Sequence, residues 1–335
     1  MSNRLAALLT TWFSQKDDCQ WLLATIIETQ RSSYRKSGAM MLINSLGKTY
    51  GLLSGGCLEA DLKIQAQKCW LHNKNTIVCY DMQDEDDIAW QLGIGCGGLV
   101  KVLLQPISKE NNYLDLITLK SQLDNRNNCF YQLDTHISAA KNLVHYHNDK
   151  TLTHLIEIKS APSLVIFGGG IDAKPIVSIA KTLGWHVCLI DSRTSYARAS
   201  YFKEADLIIN QDYNNLGKNL LINKADAIVI MHHNIDLDAQ ALQLSKSHNH
   251  LSKASYLGLL GPQHRTARVL AKAKLSISEL AIPLANPIGL DLGGELPESI
   301  ALAILSQAHA CIENADGQPL GYYQNSIQQV TVNAP

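Results

Sequence analysis

LVIFGGGIDAKPIVSIAKTLGWHVCLID (residues 164–191) joins a buried strand, a glycine-rich turn, a helix and a second buried strand. In this pattern Gly168 suits a tight turn, Gly170 lets a phosphate approach the backbone, and Ala173 is small enough for the helix to pack closely on the strand. Asp191 ends the second strand, where an acid can bind a ribose hydroxyl. The stretch therefore predicts a βαβ unit of the dinucleotide-binding type.

The chain beyond this unit continues to alternate strands with helices. Helical patterns at 172–183, about 237–248 and 263–273 separate strand-like runs at 164–168, 186–191, 206–210, 227–231 and 255–261. Such alternation predicts parallel pairing in a doubly wound sheet. We place this Rossmann-like domain at residues 161–315 and a loosely ordered tail at residues 316–335.

Residues 1–106 show a different pattern, which is typical of an α+β domain. Apolar residues at helical spacing open it (Leu5, Leu8, Leu9, Trp12 and Phe13), and a helical pattern recurs at 57–73. Strand-like runs include a hairpin formed by MMLIN and TYGLL. Residues 107–160 are predicted as a connector with short strands. The fold class is thus α/β, with an N-terminal α+β domain followed by a Rossmann-like doubly wound parallel-sheet domain.

Composition excludes several classes of protein. The 335 residues carry a formal net charge of −1, so no basic surplus exists for a nucleic-acid partner. The eight cysteines include no CxxC pair, which gives a zinc knuckle no support. No apolar run approaches the roughly 20 residues of a membrane span. The start of the chain has the spacing of an amphipathic helix rather than a signal peptide. We expect a cytoplasmic protein with reduced thiols.

Cys57 is the first candidate for chemistry, within GLLSGGCLEADL (residues 51–62). Gly55 and Gly56 leave room for a bulky ligand and expose amide donors. A helix N-terminus favours a thiolate, and Arg35 and Lys36 would add positive charge if their loop folds over the glycines.

Cys96 lies between glycines in GIGCGG and is the second candidate thiol. For both cysteines the alternative is a small buried hydrophobe. We expect that structural role for the other cysteines, which lie on apolar strands or helices: Cys19, Cys69, Cys79, Cys129, Cys188 and Cys311.

Ligand-facing loops are also expected at the carboxyl ends of the parallel strands. His233 follows one strand, Gly261 ends another, and Arg265 stands at the next helix start, where it could bind an anion. Asp291 lies in a later glycine-rich loop. Asp172, inside the first glycine-rich turn, would oppose a bound diphosphate unless it points away. Whether this turn binds a nucleotide stays open at this point.

Six stretches, taken in order, resemble the xanthine dehydrogenase accessory factor family (XdhC/CoxI type) over roughly residues 5–315. They are GLLSGGCLEADL, GIGCGGLVKVLLQP, LVIFGGGIDAKPIV, VIMHHNIDLDAQAL, YLGLLGPQHRTARV and NPIGLDLGGELPESIALAIL. The chain departs from the family pattern where Tyr34 and Lys36 replace prolines. It also departs at the Ile171–Asp172 pair and at His232 and Asn234.

The resemblance implies a chaperone rather than an enzyme with its own turnover. Such a protein binds molybdenum cofactor (molybdopterin), supports its sulfuration by a cysteine desulfurase, and aids its insertion into a molybdenum hydroxylase apoenzyme. A homodimer is compatible with the family. The alternative is an NAD(P)-dependent oxidoreductase with a reactive cysteine, and a Cys/His metal hydrolase is a weaker third idea.

The predicted site residues follow from these motifs. Cys57 and Cys96 are the reactive thiols, and Cys57 is the candidate molybdenum contact. The predicted cofactor-binding residues are Arg35, Ser54, Gly55, Gly56, Glu59, Gly97, Gly168, Gly170, Asp172, Asp191, His233, Gly261, Arg265 and Asp291.

Overall fold

A computed structural model describes residues 3–81, 98–138, 140–216, 224–247, 254–280 and 282–321. The chain divides into two compact units. The first comprises Met1–Ala161 with Thr182–Gly184, and the second comprises Pro162–Lys181 with Trp185–Pro335. No described helix carries the long apolar run that crossing a lipid bilayer would require.

The first unit contains a five-stranded antiparallel sheet in the order β3-β2-β1-β5-β4. Its strands are β1 (Trp21–Gln30), β2 (Met40–Asn44), β3 (Thr49–Gly51), β4 (Thr76–Asp81) and β5 (Leu99–Ile107). The antiparallel pairing of β2 with β3 confirms the predicted hairpin.

Helices cover both faces of this sheet, and they are α1 (Leu5–Gln15) and α2 (Glu59–His72). Leu23 of β1 packs in a cluster with Trp12 of α1, whereas Leu22 packs in a separate cluster with Leu62 of α2. Neighbouring strand residues point to opposite faces. Because both faces are buried, β1 reads as a continuous apolar run rather than an alternating one.

Residues 107–160 contain a helix and a sheet of their own. These are α3 (Leu116–Asp124) and the antiparallel order β7-β6-β8, formed by β6 (Cys129–Gln132), β7 (Leu143–His145) and β8 (Leu155–Ile158). Cys129 and Tyr131 are fully buried in the hydrophobic cluster that holds Trp12. The segment predicted as a connector is therefore part of the first compact unit.

The second unit contains a six-stranded parallel sheet in the order β11-β10-β9-β12-β13-β14. Its strands are β9 (Ser163–Phe167), β10 (His186–Ile190), β11 (Leu207–Ile209), β12 (Ala227–Ile230), β13 (Tyr256–Leu259) and β14 (Leu284–Ala285). This is the Rossmann strand order, and the predicted fold class is confirmed. The short β14 was not predicted, since two residues show no periodicity.

Helices cover both faces of the parallel sheet as well. They are α4 (Ala173–Thr182), α5 (Ile235–Ser247), α6 (Gln263–Ala273) and α7 (Pro297–Glu313). Leu164 and Ile166 of β9 pack with residues of α4 and α7, whereas Val165 and Phe167 pack with residues of α5 and α6.

Gly168 lies where the strand order reverses between β9 and β12. Its amide donates to the carbonyl of Ile190 (2.9 Å), and a Cβ there would lie 2.7 Å from the carbonyl carbon of Met231. Its φ of +116° is also unfavourable for other residues. Packing of two strand ends thus requires glycine here, independently of any ligand.

We expect Gly168→Ala to destabilise the protein by about 2–4 kcal/mol, because it adds a backbone clash to φ strain. Gly293→Ala is the matched control. Its φ is +74°, and no described atom lies within 4 Å of its Cβ position, so it should lose only about 1 kcal/mol. Urea denaturation measures both. Equal losses would show that the contact with Met231 is not the constraint.

Candidate functional site

The loop ahead of α2 is held by hydrogen bonds between Ser54 and Glu59. The Ser54 hydroxyl donates to the Glu59 carboxylate and accepts from the amides of Gly56 (3.3 Å) and Leu58 (3.0 Å). The carboxylate also accepts from the amides of Leu53 (3.3 Å) and Ser54 (3.0 Å). Because Ser54 is buried, these hydrogen bonds hold the loop in place on the side that faces the protein interior.

Glu59 contributes a charge as well as hydrogen bonds. Burial acts to raise the pKa of Glu59, but hydrogen bonds from the Ser54 hydroxyl and from the Ser54 and Leu53 amides outweigh it, so the pKa lies below its ordinary value. Glu59 is also the first residue of α2, where a negative charge is favourable. The carboxylate is therefore ionised at neutral pH and holds the loop as an acceptor.

The same loop exposes Gly55, Gly56 and Cys57 to solvent. No described atom lies within 4 Å of the Cβ position of either glycine. Cys57 lies just before α2 rather than in it, since Leu58 is the N-cap. The amides of Gly55 and Cys57 make no hydrogen bond with any described residue. The loop thus presents a thiol and two amide donors in open space.

The loop between β1 and β2 contains Arg35 and Lys36, which are half-buried and exposed, respectively. Within the described ranges neither side chain makes an ion pair or hydrogen bond, so both charges are available to a ligand. The carbonyl of Ser32 in this loop lies 2.1 Å from where a Cβ of Gly98 would be. That contact explains the glycine that ends GIGCGG. Cys96 and Gly97 lie outside the described residues.

Of the six remaining cysteines, three are buried as expected, one is half-buried and two are exposed. Cys69, Cys129 and Cys188 are buried, and Cys19 is half-buried. Cys79 and Cys311 were expected to be buried and are exposed. Cys79 lies on the edge strand β4, and Cys311 lies near the end of α7. Apolar neighbours in sequence do not reveal which side of an edge element meets solvent.

Asp191 occupies the position predicted to bind a ribose, but its own chain already uses both carboxylate oxygens. One oxygen accepts from the Gly169 amide (2.8 Å) and the other from the Arg193 amide (2.9 Å), while the Arg193 guanidinium bonds to both. Burial acts to raise the pKa of Asp191, yet these bonds lower it. Because Asp191 has no exposed surface, a ribose hydroxyl could bind there only by displacing Arg193.

Asp172 stands beside Gly170, the glycine predicted to receive a phosphate. Its Oδ1 lies 2.4 Å from the Cβ position of Gly170, and its Oδ2 lies 2.6 Å from Nε2 of His233. The hydrogen bond that His233 donates to the Asp172 carboxylate is the main cause that raises the pKa of His233. His233 therefore lies beside the glycine-rich turn through its contact with Asp172. The carboxylate, however, does not point away from the diphosphate position.

A buried hydrogen-bond network lies behind His233. His232 has a fully buried side chain whose Nδ1 contacts Oδ1 of Asp238 (2.8 Å) and whose Nε2 contacts the hydroxyl of Tyr213. Asp238 also pairs with Arg265, which donates to the carbonyl of Leu260 (2.8 Å). Burial acts to raise the pKa of Asp238, but His232 and Arg265 lower it. Arg265 is thus committed to a buried carboxylate.

Sequence reasoning missed Tyr213 and Asp238 altogether. Each lies in a polar stretch, and nothing local marks either as a partner of His232. The other predicted residues of this unit do not join the network. Asp291 is exposed, while Gly261 is half-buried with its Cβ position 3.1 Å from Arg265. The parts of the chain that the structure describes hold no cluster of three metal-binding side chains, which gives the metal hydrolase idea no support.

Comparisons with known proteins identify the family. The XdhC and CoxI family model matches residues 14–81, and the XdhC Rossmann domain model matches residues 164–308. A relative from Bacillus subtilis (strain 168), which is named as a probable xanthine dehydrogenase subunit, is 30% identical over 316 residues, covering 87% of this chain and 93% of the relative. The chain belongs to the XdhC and CoxI family.

Two further matches extend this assignment. The molybdenum cofactor insertion chaperone PaoD of Escherichia coli (strain K12) is 21% identical over 290 residues, which cover 85% of this XdhC/CoxI chain and 81% of PaoD. The crystal structure of a xanthine dehydrogenase from Bacillus halodurans matches with a TM-score of 0.76 and 30% identity, covering 94% of this chain and 96% of that one. The resemblance inferred from the six motifs is confirmed.

We expect Ser54→Ala to lower the free energy of unfolding by about 1–3 kcal/mol, because it leaves the Leu58 amide without its acceptor. Ser14→Ala is the matched control, since the Ser14 hydroxyl is exposed and bonds only to the Thr11 carbonyl (2.8 Å). It should change stability by less than about 0.5 kcal/mol. Urea denaturation compares the two. Similar values would mean that Ser54 does not hold the loop.

We expect the His233–Asp172 pair to make stability depend on pH. The pKa of His233 is higher in the folded protein than its value of about 6.5 in the unfolded chain. The pair formed by protonated His233 and Asp172 therefore stabilises the protein fully below about pH 6.5, and this stabilisation is lost as the pH rises through the folded-state pKa. Since the His233 side chain is 64% exposed, the loss should lower Tm by about 1–2 °C. His233→Gln should remove this step between about pH 6 and pH 8, whereas the exposed His264→Gln should retain it. Thermal melts across that range test the difference.

Proposed function

We propose that this XdhC/CoxI protein binds molybdenum cofactor and supports its insertion into a xanthine dehydrogenase-type molybdenum hydroxylase. One relative is named an insertion chaperone for that cofactor, and another is named as part of a xanthine dehydrogenase. The observation that carries the proposal is that Cys57 is exposed on a loop held in place by hydrogen bonds of Ser54 and Glu59. A chaperone must both hold its cargo and release it, and an exposed loop allows both.

The chemistry of the loop suits this cargo. A cysteine thiolate is a soft metal ligand, so Cys57 could bind the molybdenum of this cargo. The amides of Gly55 and Cys57 lack acceptors among the described residues, and backbone amides are suitable donors to a phosphate. No side chain at Gly55 or Gly56 blocks the approach of a bulky pterin. Cys57 would therefore contact the metal end of the cofactor, while the amides bind an anionic part.

Sulfuration extends the same proposal. A cysteine desulfurase is the partner class that the family resemblance implies for sulfuration, and it would meet the cofactor while Cys57 holds it. The exposure of this thiol supports such an encounter, because a second protein can reach it without opening the first unit. Cys57 would then act as a ligand that keeps the cofactor in place during transfer.

The alternative of an NAD(P)-dependent oxidoreductase has less support. Asp191 is committed to Arg193 and Gly169, and the Asp172 carboxylate lies beside Gly170. A dinucleotide needs free access to both positions for its ribose and its diphosphate. Titration with NADH and NADPH distinguishes the two functions, since micromolar binding with turnover of a small substrate would favour the oxidoreductase.

We expect Cys57→Ala to lose most of its capacity to retain molybdenum cofactor released from a molybdenum enzyme. Loss of even an outer partner of a metal ligand typically costs 10–100-fold in affinity, so the loss here should be at least about tenfold. Cys311→Ala, which removes another exposed thiol, is the control and should retain cofactor like the wild type. Molybdenum and pterin measured after gel filtration give the result.

Gly55→Val is a second variant for the same experiment. Its side chain would enter space that no described atom occupies, so stability should stay within about 0.5 kcal/mol while retention falls. Equal retention by Cys57→Ala, Gly55→Val and the wild type would remove this loop from the cofactor site.

A further inference from the structure

A pocket of about 260 Å³ lies in the second unit, against the glycine-rich turn and the start of α4. The lining residues that matter are Gly169, Gly170, Ile171, Lys174, Tyr196 and Tyr201. We call this the tyrosine pocket. Asp172 is not part of its lining, so the acidic residue of the turn does not close it.

Two aromatic rings and one lysine line the tyrosine pocket, and Arg193 packs on one of the rings. Nζ of Lys174 lies 4.6 Å from the ring centroid of Tyr201, and the Arg193 guanidinium stacks on Tyr196 at 3.5 Å. Tyr201 is 56% exposed, so a ligand can reach its ring. Such rings are suitable surfaces for stacking a flat heterocycle, and base–aromatic stacking is tolerant of the exact ring.

The anionic end of a ligand would also find partners here. Lys174 makes no ion pair within the described residues, so its charge is not neutralised by a carboxylate. The amide of Ile171, which also lines the pocket, donates to no described group. One lysine with a nearby amide matches one phosphate or carboxylate group.

The size of the pocket limits the ligand. Pockets for larger organic molecules usually measure about 300–1,000 Å³, so 260 Å³ suits a single ring system with a short substituent. A dinucleotide would have to extend toward Asp191 and Gly170, where Arg193 and Asp172 already lie. The pocket therefore favours a compact ligand over a dinucleotide.

We propose that the tyrosine pocket binds a planar heteroaromatic ring that carries one anionic group. The ring stacks on Tyr201 or Tyr196, and the anion binds Lys174 with the Ile171 amide. Arg193 acts as a positioning residue, since the Asp191 carboxylate holds it against Tyr196. Both a purine mononucleotide and a pterin carrying an acidic group have this chemistry. The pocket lining does not include Cys57, so a ligand could bind there whether or not the loop at Cys57 holds molybdenum cofactor.

The test uses the full-length protein with three probes: AMP, adenosine and pterin-6-carboxylate. Isothermal titration measures the first two, and pterin fluorescence measures the third. We expect an anionic probe to bind at millimolar concentration or below. Binding of AMP would identify a nucleotide ligand, and binding of pterin-6-carboxylate would identify a pterin ligand. If neither anionic probe binds at millimolar concentration, the proposal is wrong.

Variants connect binding to the pocket. Tyr201→Ala should weaken binding about tenfold through lost stacking, and Lys174→Gln should weaken an anionic probe about tenfold. If AMP binds, Lys174→Gln should also abolish its advantage over adenosine. Lys272→Gln is the matched control, because Lys272 is an exposed lysine paired with Asp236 on the surface. Unchanged affinity in both pocket variants would overturn the proposal.

A last variant separates this proposal from the proposed function. Cys57→Ala should bind the successful probe as the wild type does, since Cys57 does not line the tyrosine pocket. Loss of binding in Cys57→Ala together with unchanged binding in Tyr201→Ala would place the probe at the cysteine loop and contradict the tyrosine pocket.

Discussion

The ion pair between the buried carboxylate of Asp191 and the guanidinium of Arg193 is the interaction on which the carboxyl edge of the parallel sheet depends. Asp191 has no exposed surface, so its charge needs the guanidinium and the Gly169 amide as partners. Removing one member of such a pair typically costs about 3–5 kcal/mol. Arg193 also stacks on Tyr196 and contacts the His232 carbonyl (3.5 Å). One ion pair thereby connects the glycine-rich turn, the loop after β10 and the end of β12.

This arrangement shows how a Rossmann domain can keep its fold while the residues at its usual dinucleotide-binding positions take structural roles. Glycine and aspartate stand at the positions that bind a dinucleotide in other proteins. Here Gly168 is required by the backbone of Met231, and Asp191 holds the turn from inside. The polar groups that such folds present to a ligand instead bind one another. A fold of this class does not by itself imply its common function.

The first unit shows the opposite arrangement, in which a thiol is kept exposed to solvent. Ser54 is buried, and its hydroxyl joins the Glu59 carboxylate to two loop amides. Glycines without neighbouring atoms follow, and the thiol of Cys57 comes next. Rigid support on one side and open space on the other are what a site needs when its ligand must enter and leave.

Much of the fold could be predicted from sequence, because periodicity and glycine placement are local properties. The strand–helix alternation from 164 to 273 was confirmed, as was the hairpin of β2 and β3. The site was less predictable. The Asp191–Arg193 pair lies within three residues of sequence, yet no pattern tells whether a carboxylate faces its neighbour or a ligand. The bond of Tyr213 to His232 joins residues 19 positions apart and has no local signature.

Sequence by itself determined the order of the elements, the turns that need glycine and the loop that carries Cys57, since each depends on residues close together in the chain. Only the tertiary structure decided which side chains are still free to bind a ligand. Asp191 and Arg265 are committed to buried partners, whereas Lys174 and Cys57 are open to a ligand. The reason is physical: a buried charge must be neutralised by whatever the fold brings beside it, and that neighbour is set by strand order rather than by sequence distance.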